Sequence, residues 1–366
     1  MKYIEYYRDP ELIKGLVQSI SHLAKDIAKN VTVMEICGTH THAIGRWGLR
    51  RLLPENVRLI SGPGCPVCVT STADVDRTLY LAGLKEVIFA TFGDMLRVPG
   101  SAGQCLQDLR AEGAEVRVVT SPLDALQIAR ENPKREVVFL GIGFETTAPA
   151  VASTIIKAKK EGTRNFSVFS LHKTIPNVIQ ALIDDPALSL DGFLCPGHVS
   201  VITGIKAYDA IPLAKRAAVI TGFEPSDILE GILMNLQQIR SGRFEIAIQY
   251  ERAVKKTGNL KARELMNEVF ASGDAEWRGL GTIPESGLYL KGSYLDFDAG
   301  QRFSIPEMSA VEPRGCLCGE VLKGIVTPNQ CPLFAGACHP LHPVGPCMVS
   351  SEGTCAAYYK YERIEA

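Results

Sequence analysis

The C-terminal end of this sequence is where residues able to do chemistry are most concentrated. Six of the eleven cysteines lie there, at Cys316, Cys318, Cys331, Cys338, Cys347 and Cys355. Thiolates are soft ligands that suit zinc or an iron–sulfur cluster. Four thiols complete one cluster, and the two that are left could exchange electrons with it through thiol–disulfide chemistry. The segment therefore predicts a redox module.

A structural zinc site and a disulfide framework are two other interpretations of the same cysteines. Zinc sites usually show two close pairs of the C-x₂₋₄-C kind, whereas here one C-x-C pair is followed by gaps of twelve, six, eight and seven residues. A disulfide framework needs an oxidising compartment, and the charges within residues 1–11 leave no apolar core for a signal peptide. We therefore expect a cytoplasmic protein with an iron–sulfur cluster, with zinc as the alternative.

A second cysteine motif, Cys65-Pro-Val-Cys68, lies where a predicted strand passes into a helix. Such pairs cycle between dithiol and disulfide, because a helix N-terminus lowers the pKa of the first thiol. Two buried cysteines acting as small apolar residues are the alternative. Pro63, Gly64 and Pro66 hold the loop in a fixed turn, which favours redox or metal chemistry.

Cys37 is followed closely by His40 and His42. A thiolate with nearby imidazoles could ligate iron, or act as a nucleophile with a histidine base. Structural roles for the histidines are an equal alternative. The interpretation is strengthened by the position of Cys37, which should lie on a strand end next to that of Cys65 and Cys68.

A glycine-rich turn, Gly141-Ile-Gly-Phe-Glu-Thr-Thr147, follows another predicted strand. It resembles an anion-binding turn at a helix start, but it is not a Walker A loop because no Gly-Lys-Ser/Thr follows. An ordinary helix cap by Thr146 or Thr147 is the alternative. That alternative leaves Glu145 unexplained, so Glu145 is a candidate catalytic residue.

Short apolar segments alternate with helical ones between residues 31 and 222. Most are rich in Val, Ile and Phe without polar alternation, which is typical of strands covered by helices on both faces. The predicted strands are Val31–Ile36, Val57–Ile60, Glu86–Thr91, Glu115–Val119, Glu136–Leu140, Phe166–Ser170, Gly192–Leu194 and Ala217–Ile220. The helices predicted between them are Ala73–Ala82, Gly103–Glu112, Ala148–Lys160 and Thr174–Asp184. The alternation predicts an α/β protein with mostly parallel sheets.

These eight strands fall into two sets of four on either side of residues 121–135, which favours two similar parallel-sheet α/β domains. We therefore expect a helical segment at 1–30 that packs on the third domain, α/β domains at 31–120 and 121–222, and a helical, Cys-rich iron–sulfur domain at 223–366. The third domain should contain amphipathic helices at 225–240 and 260–270, and a short hairpin with Tyr289, Leu290, Tyr294 and Phe297.

Length and composition limit the possible classes of function. A chain of 366 residues is too long for one core. A membrane span needs about eighteen consecutive apolar residues. No uncharged apolar segment of this sequence approaches that length. The net charge is −1 and the basic residues are dispersed, so nucleic-acid binding is not supported. Proteins or small molecules are the expected partners.

The candidate residues share one kind of position in the predicted fold. In parallel α/β sheets, ligands bind outside the carboxyl ends of the strands. Cys37, Cys65, Glu145 and the motif Cys195-Pro-Gly-His198 each follow a predicted strand. We therefore expect a site that faces a cleft between the two α/β units.

Five motifs together closely resemble the hydrogenase expression/formation protein HypD family. They are Cys-Gly-Thr-His-Thr-His at 37–42, Gly-Pro-Gly-Cys-Pro-Val-Cys at 62–68, Gly-Phe-Glu-Thr-Thr-Ala-Pro at 143–149, Cys-Pro-Gly-His-Val-Ser at 195–200, and the terminal cysteine module. The resemblance covers about residues 31–361, with no departure at the motif cysteines. It implies two α/β domains with a third, cluster-bearing domain, and an environment similar to that of ferredoxin:thioredoxin reductase.

The resemblance implies a maturation factor for [NiFe] hydrogenases. Such a factor works with the small protein HypC and with HypE, which supplies cyanide ligands. Together they assemble an Fe(CN)₂CO group before its transfer to the hydrogenase large subunit. The implied cofactors are a [4Fe–4S] cluster and the transiently bound Fe(CN)₂CO iron.

The same resemblance implies roles for the individual cysteines. The cluster ligands would be Cys316, Cys331, Cys338 and Cys355, with Cys318 and Cys347 as the adjacent redox pair. Cys37 would hold the iron together with a HypC cysteine, and Cys65 and Cys68 would be the internal dithiol and further candidate iron ligands.

Two rival functions stay open at this point. One is a thiol–disulfide oxidoreductase acting through Cys65 and Cys68, although exchange alone does not need Cys37 and two histidines beside the dithiol. The other is a zinc-stabilised docking protein, although the C-terminal module has more thiols than one zinc ion needs.

Overall fold

The computed structural model describes residues 2–308 and 310–363. Within them, two parallel sheets and one antiparallel hairpin are formed. The strands are β1 (Val31–Glu35), β2 (Val57–Ser61), β3 (Val87–Thr91), β4 (Val116–Val118), β5 (Glu136–Gly141), β6 (Phe166–Ser170), β7 (Gly192–Pro196), β8 (Ala217–Thr221), β9 (Ile246–Ile248), β10 (Phe270–Trp277) and β11 (Gly281–Leu290). The first sheet has the order β2-β1-β7-β8-β9, the second has the order β4-β3-β5-β6, and β10 pairs with β11.

Helices cover these sheets and connect their strands. The α-helices are α1 (Lys2–Glu5), α2 (Pro10–Lys25), α3 (Gly38–Arg46), α4 (Pro66–Val69), α5 (Thr72–Gly83), α6 (Leu106–Ala111), α7 (Pro122–Glu131), α8 (Ala148–Glu161), α9 (Ile175–Asp184), α10 (Gly197–Thr203), α11 (Ala210–Leu213), α12 (Pro225–Ser241), α13 (Leu260–Val269), α14 (Ala299–Arg302), α15 (Cys318–Leu322) and α16 (Thr354–Tyr361). Short 3₁₀ helices are Tyr6–Arg8, Leu49–Leu52, Gly93–Arg97, Ile205–Tyr208, Gly292–Phe297, Pro328–Gln330 and Pro346–Met348. In the described part of the chain, no helix combines the length and apolar character needed to cross a bilayer.

The expected fold class of α/β with parallel sheets is confirmed. Strands β3 and β8 are buried at every position because helices cover both faces of their sheets. All eight strands predicted from apolar segments are present, with ends within two residues of the expected ones. The buried apolar segments were therefore a reliable guide to where the strands lie.

The pairing of the strands differs from the expected two sets of four consecutive strands. Strand β7 pairs with β1, through Gly192–Leu194 against Val33–Glu35, and β8 pairs with β7. The chain leaves the first sheet after β2, forms the second sheet with β3 to β6, and returns to the first. The boundaries expected at 120 and 222 consequently do not coincide with the limits of the sheets. The short buried strands of the two sheets have the same apolar pattern. This pattern therefore does not predict which strands pair with each other.

Helix α12 belongs to the first sheet rather than to a separate region after residue 222. It packs against β7 and β8, and α2 packs on α12. Apolar residues of α12, such as Ile228 and Leu236, share one core with Ile20 of α2. Strand β9, which was not expected, extends this sheet at its edge beside β8.

The antiparallel hairpin is longer than expected and starts earlier in the chain. It is formed by β10 and β11, whereas Tyr294 and Phe297 lie in the following 3₁₀ helix. An isolated β-bridge joins Trp277 to Thr70, which lies beyond β2 of the first sheet. A second β-bridge joins Gly287 to Lys173, which lies beyond β6 of the second sheet. The hairpin therefore connects the carboxyl ends of the two sheets.

Candidate functional site

Cys37 lies at the carboxyl end of β1, where the chain turns into α3. It is the N-cap residue of α3, and its backbone N–H donates to Glu35 Oε2 at 3.0 Å. We expected this thiol to face an open cleft. It is buried instead, with 2% of the residue exposed. Burial raises the pKa of the Cys37 thiol, whereas the N–H groups of His40 and Thr39 act in the opposite direction.

The loop that carries Cys65 is held directly against the loop that carries Cys37. Gly38 N donates to Gly64 O at 2.9 Å. A Cβ atom at Gly64 would lie 2.1 Å from Cys37 N, so only glycine permits this approach. The sequence expectation that these strand ends are neighbours is confirmed, since β1 pairs with β2.

Cys65 and Cys68 form a disulfide at the start of helix α4. Cys65 is the N-cap of α4, with Pro66 at its first position, and Cys68 N donates to Cys65 Sγ at 3.2 Å. The two residues are 4% and 0% exposed. The strand-to-helix position expected for this motif is therefore confirmed, and the pair is both oxidised and shielded.

His198 is the imidazole next to Cys37, and residue types alone did not single it out. It lies in α10, directly after β7, with Nε2 3.7 Å from Cys37 Sγ. Its ring stacks on Phe223 at a centroid distance of 5.1 Å. Burial lowers the pKa of His198 to about 4, so the ring is neutral near pH 7 and is able to ligate a metal. The sequence feature that could have identified His198 is its position directly after β7, a strand of the first sheet.

The two histidines expected beside Cys37 bind elsewhere. His40 Nε2 donates to Gly222 O at 2.9 Å, and burial lowers the pKa of His40 to about 4. His42 Nδ1 lies 3.2 Å from Ser351 O in the C-terminal module. Both rings therefore tie α3 to neighbouring segments, which fits the structural alternative left open for them.

A buried carboxyl lies beneath the Cys37 loop. Glu35 is 0% exposed, and burial raises its pKa to about 7 against the opposing hydrogen bonds from Ser61, Thr41 and Cys37 N. Glu35 was not among the residues predicted from the sequence. It is the last residue of β1, and the apolar pattern of that strand does not indicate a buried carboxyl there. Its carboxylate orients the Cys37 loop through the bond to the Cys37 backbone.

Glu145 follows β5, at the carboxyl end of the second sheet. Its Oε1 accepts a hydrogen bond from Ile175 N at the start of α9, at 2.9 Å. Burial raises the pKa of Glu145 to about 7, and its Oε2 has no hydrogen-bond partner among the described residues. Thr147 precedes α8 without capping it by its side chain. Glu145 thus supports the start of α9, and the expected catalytic role stays a prediction.

The six C-terminal cysteines line one small pocket. They are Cys316, Cys318, Cys331, Cys338, Cys347 and Cys355, and the remaining wall includes Leu317, Val321, Leu333, Phe334 and Met348. Cys318 Sγ and Cys347 Sγ lie 3.0 Å apart, and Cys318 is also hydrogen-bonded to Cys316 and Cys347 to Cys355. The redox role expected for Cys318 and Cys347 stays a prediction.

The pocket has features that suit a thiolate-bound cluster. Val344 N donates to Cys338 Sγ at 3.3 Å, and a Cβ at Gly345 would lie 3.2 Å from Cys316 Sγ, so the backbone approaches the sulfurs closely. Hydrogen bonds to sulfur and an apolar surrounding are features that set the potential of such clusters. Across the described residues, no three His, Cys, Asp or Glu side chains converge on one point as they do around a single metal ion.

The cysteine module rests on the two loops of the first sheet. Helix α4 packs against Pro346–Met348, the turn that carries Cys347. Thr39 Oγ1 donates to Glu352 Oε1 at 2.6 Å, and a Cβ at Gly38 would lie 2.6 Å from Glu352 Cβ. Three thiol groups that are distant in sequence are thus brought to one region: Cys37, the Cys65–Cys68 disulfide and the Cys318–Cys347 pair.

Comparison with known proteins gives matches along nearly the whole chain. Residues 11–362 match the HypD family model, described as "Hydrogenase formation hypA family". The chain is 48% identical over 371 residues to hydrogenase maturation factor HypD of Rhodobacter capsulatus, covering 99% of this chain and 98% of the relative. It is 46% identical to that factor of Escherichia coli strain K12, over 100% of both chains. It is 43% identical to a putative hydrogenase expression/formation protein of Methanocaldococcus jannaschii, over 97% of this chain and 99% of the relative.

Proposed function

Because the chain belongs to the HypD family of hydrogenase maturation factors, we propose that it is a scaffold and redox centre for assembly of the Fe(CN)₂CO group of [NiFe] hydrogenases. It would act in the cytoplasm with a HypC-type small protein and a HypE-type cyanide donor. The observation on which this proposal rests is that Cys37, the Cys65–Cys68 disulfide and the cysteine module lie on segments that pack against each other. The family membership itself supports a function in hydrogenase maturation.

Cys37 is the residue best placed to hold the iron substrate. Its sulfur faces the start of α3, where the N–H groups of His40 and Thr39 partly offset the larger effect of burial, which raises the pKa of the thiol. His198, whose Nε2 lies 3.7 Å from the sulfur and whose ring is neutral near pH 7, would be available as a further ligand for the iron. The neighbouring Cys65 and Cys68 are joined to each other, so a second thiolate for the iron would come from the HypC-type partner.

The other thiols would keep the bound iron reduced. A [4Fe–4S] cluster held by Cys316, Cys331, Cys338 and Cys355 would receive electrons from an external one-electron donor. In two one-electron steps, with two protons from solvent, it would return an oxidised Cys318–Cys347 pair to the dithiol. Reduced Cys318 and Cys347 would pass two electrons and two protons to the Cys65–Cys68 bond, which opens to a dithiol while Cys318 and Cys347 close to a disulfide. The packing of α4 on Pro346–Met348 brings the two thiol pairs onto neighbouring segments, which supports a transfer between them.

Burial of the disulfide speaks against the rival oxidoreductase function. An enzyme that reduces external disulfides needs an accessible attacking sulfur. Cys65 and Cys68 are 4% and 0% exposed. An internal relay needs no such access, so the geometry favours the relay over turnover of an outside disulfide.

Anaerobic purification with metal analysis, ultraviolet–visible and Mössbauer spectra tests the proposed function. We expect about four iron and four sulfide per chain, because four thiolates complete one such cluster. Stoichiometric zinc without absorbance near about 400 nm, in protein never exposed to air, would contradict the cluster and favour the zinc-stabilised docking protein.

Single replacement of Cys65 or Cys68 by serine is expected to stop hydrogenase maturation and to leave the cluster in place. Either change removes the internal disulfide, whereas the proposed cluster ligands all lie after residue 315. The measurements are hydrogenase activity in a strain without its own copy of the protein, and iron content of the purified variant. Cys105→Ser is the control, because Cys105 caps α6 far along the chain from both thiol pairs. Absence of redox-active thiols in a titration of cluster-loaded protein would end the relay hypothesis.

A further inference from the structure

Arg278 is a buried cation between the disulfide helix and the cysteine module. It directly follows β10 and is 3% exposed. Its backbone N–H donates to Val69 O at 2.9 Å, and its Nε donates to Thr70 O at 2.9 Å. Val69 and Thr70 end helix α4, which begins with the disulfide. Arg278 is thus hydrogen-bonded to the C-terminal end of α4.

The guanidinium of Arg278 is only partly neutralised. Its Nη1 donates to Glu312 Oε2 at 2.7 Å, but the Glu312 side chain is 59% exposed and therefore screened by solvent. Its Nη2 is buried without a hydrogen-bond partner in the described part of the chain. An arginine stays protonated in proteins, and a buried charge without full pairing is costly. A second negative group near Nη2 would remove that cost.

The cysteine module lies against the residue that follows Arg278. Gly279 has φ +76°, and a Cβ there would lie 2.2 Å from Gly319 Cα. Gly319 is next to Cys318 in α15. The segment that carries Arg278 is therefore packed against α15, whose Cys318 lines the cysteine pocket.

We propose that Arg278 is an electrostatic positioning residue whose buried charge favours the reduced form of the cluster and so raises its reduction potential. The inference rests on the cluster proposed above. Each electron that the cluster accepts adds one negative charge, and a fixed cation nearby stabilises that charge most where water is excluded. The unpartnered Nη2 and the close contact of Gly279 with Gly319 are the observations that support it.

Redox titration of the anaerobically purified protein with dithionite, followed by electron paramagnetic resonance, tests this inference. Arg278→Gln keeps hydrogen-bond donors but removes the charge, so its midpoint potential should shift to a more negative value than that of the wild type. Glu312→Gln keeps Arg278 and removes its partial counter-charge, so its potential should shift in the positive direction. Arg302→Gln is the matched control, because Arg302 forms an ion pair with Glu136 of the second sheet, and its potential should stay unchanged.

The possible outcomes separate this inference from the proposed function. Wild-type protein without iron would contradict the proposed cluster itself. Iron-loaded Arg278→Gln with the wild-type potential would overturn only the inference about Arg278. If Arg278→Gln folds without iron, Glu312→Gln decides, and an unshifted potential in that variant would overturn the inference as well.

Discussion

Replacement of Cys37 by alanine is expected to abolish hydrogenase maturation without loss of the cluster or of the fold. Cys37 is the thiol at the start of α3 that is free to hold iron, since Cys65 and Cys68 are joined to each other. The change deletes one buried sulfur, which should cost about 1 kcal/mol of stability. Activity of the target hydrogenase, iron content and thermal unfolding of the purified variant measure the three expectations.

A matched control for this variant is Cys195→Ala. Cys195 is also a buried cysteine near the end of a strand of the first sheet, at 0% exposure. It is expected to retain maturation, because its sulfur has no part in the proposed site. Infrared bands of CN and CO that persist in Cys37→Ala bound to its HypC-type partner would show that Cys37 is not an iron ligand.

Replacement of Cys316 or Cys355 by alanine is expected to remove the cluster and to destabilise the C-terminal module. Regular structure between residues 316 and 361 is limited to short helices, so metal–thiolate bonds should contribute much of its folding free energy. Iron and sulfide should fall to near zero, and limited proteolysis should cut first within this module.

The control for these two variants is Cys105→Ala, because Cys105 lies beside residues 337–344 of the module but does not line the cysteine pocket. It should keep full iron content and the wild-type pattern of proteolysis. A Cys316→Ala or Cys355→Ala protein with four iron atoms and an unchanged cleavage pattern would show that the ligands were assigned wrongly. Cys318 and Cys347 would then be the next candidates, because they line the same pocket.

Several features of this protein were determined by the sequence alone. Strand β3 could be located because it is buried at every position, and such a segment is apolar without alternation. The Cys65–Cys68 motif could be located at a strand-to-helix turn because Gly64 and Pro66 permit few other conformations. The spacing of the C-terminal cysteines likewise predicted one module, and all six thiols line one pocket. These are local properties, since each depends on residues close together in the chain.

Only the tertiary structure decided which of these features meet. His198 lies 161 residues from Cys37 in the chain, and Glu352 lies 313 residues from Thr39, yet each pair is in contact. The first contact exists because β7 returns to pair with β1, and the apolar patterns of the two sheets are too similar to reveal that return. Arg278 gave no signal either, because a single arginine after a strand is ordinary until its burial against α4 is seen. Neighbours of this kind depend on strand order and packing between distant segments, which local sequence patterns do not encode.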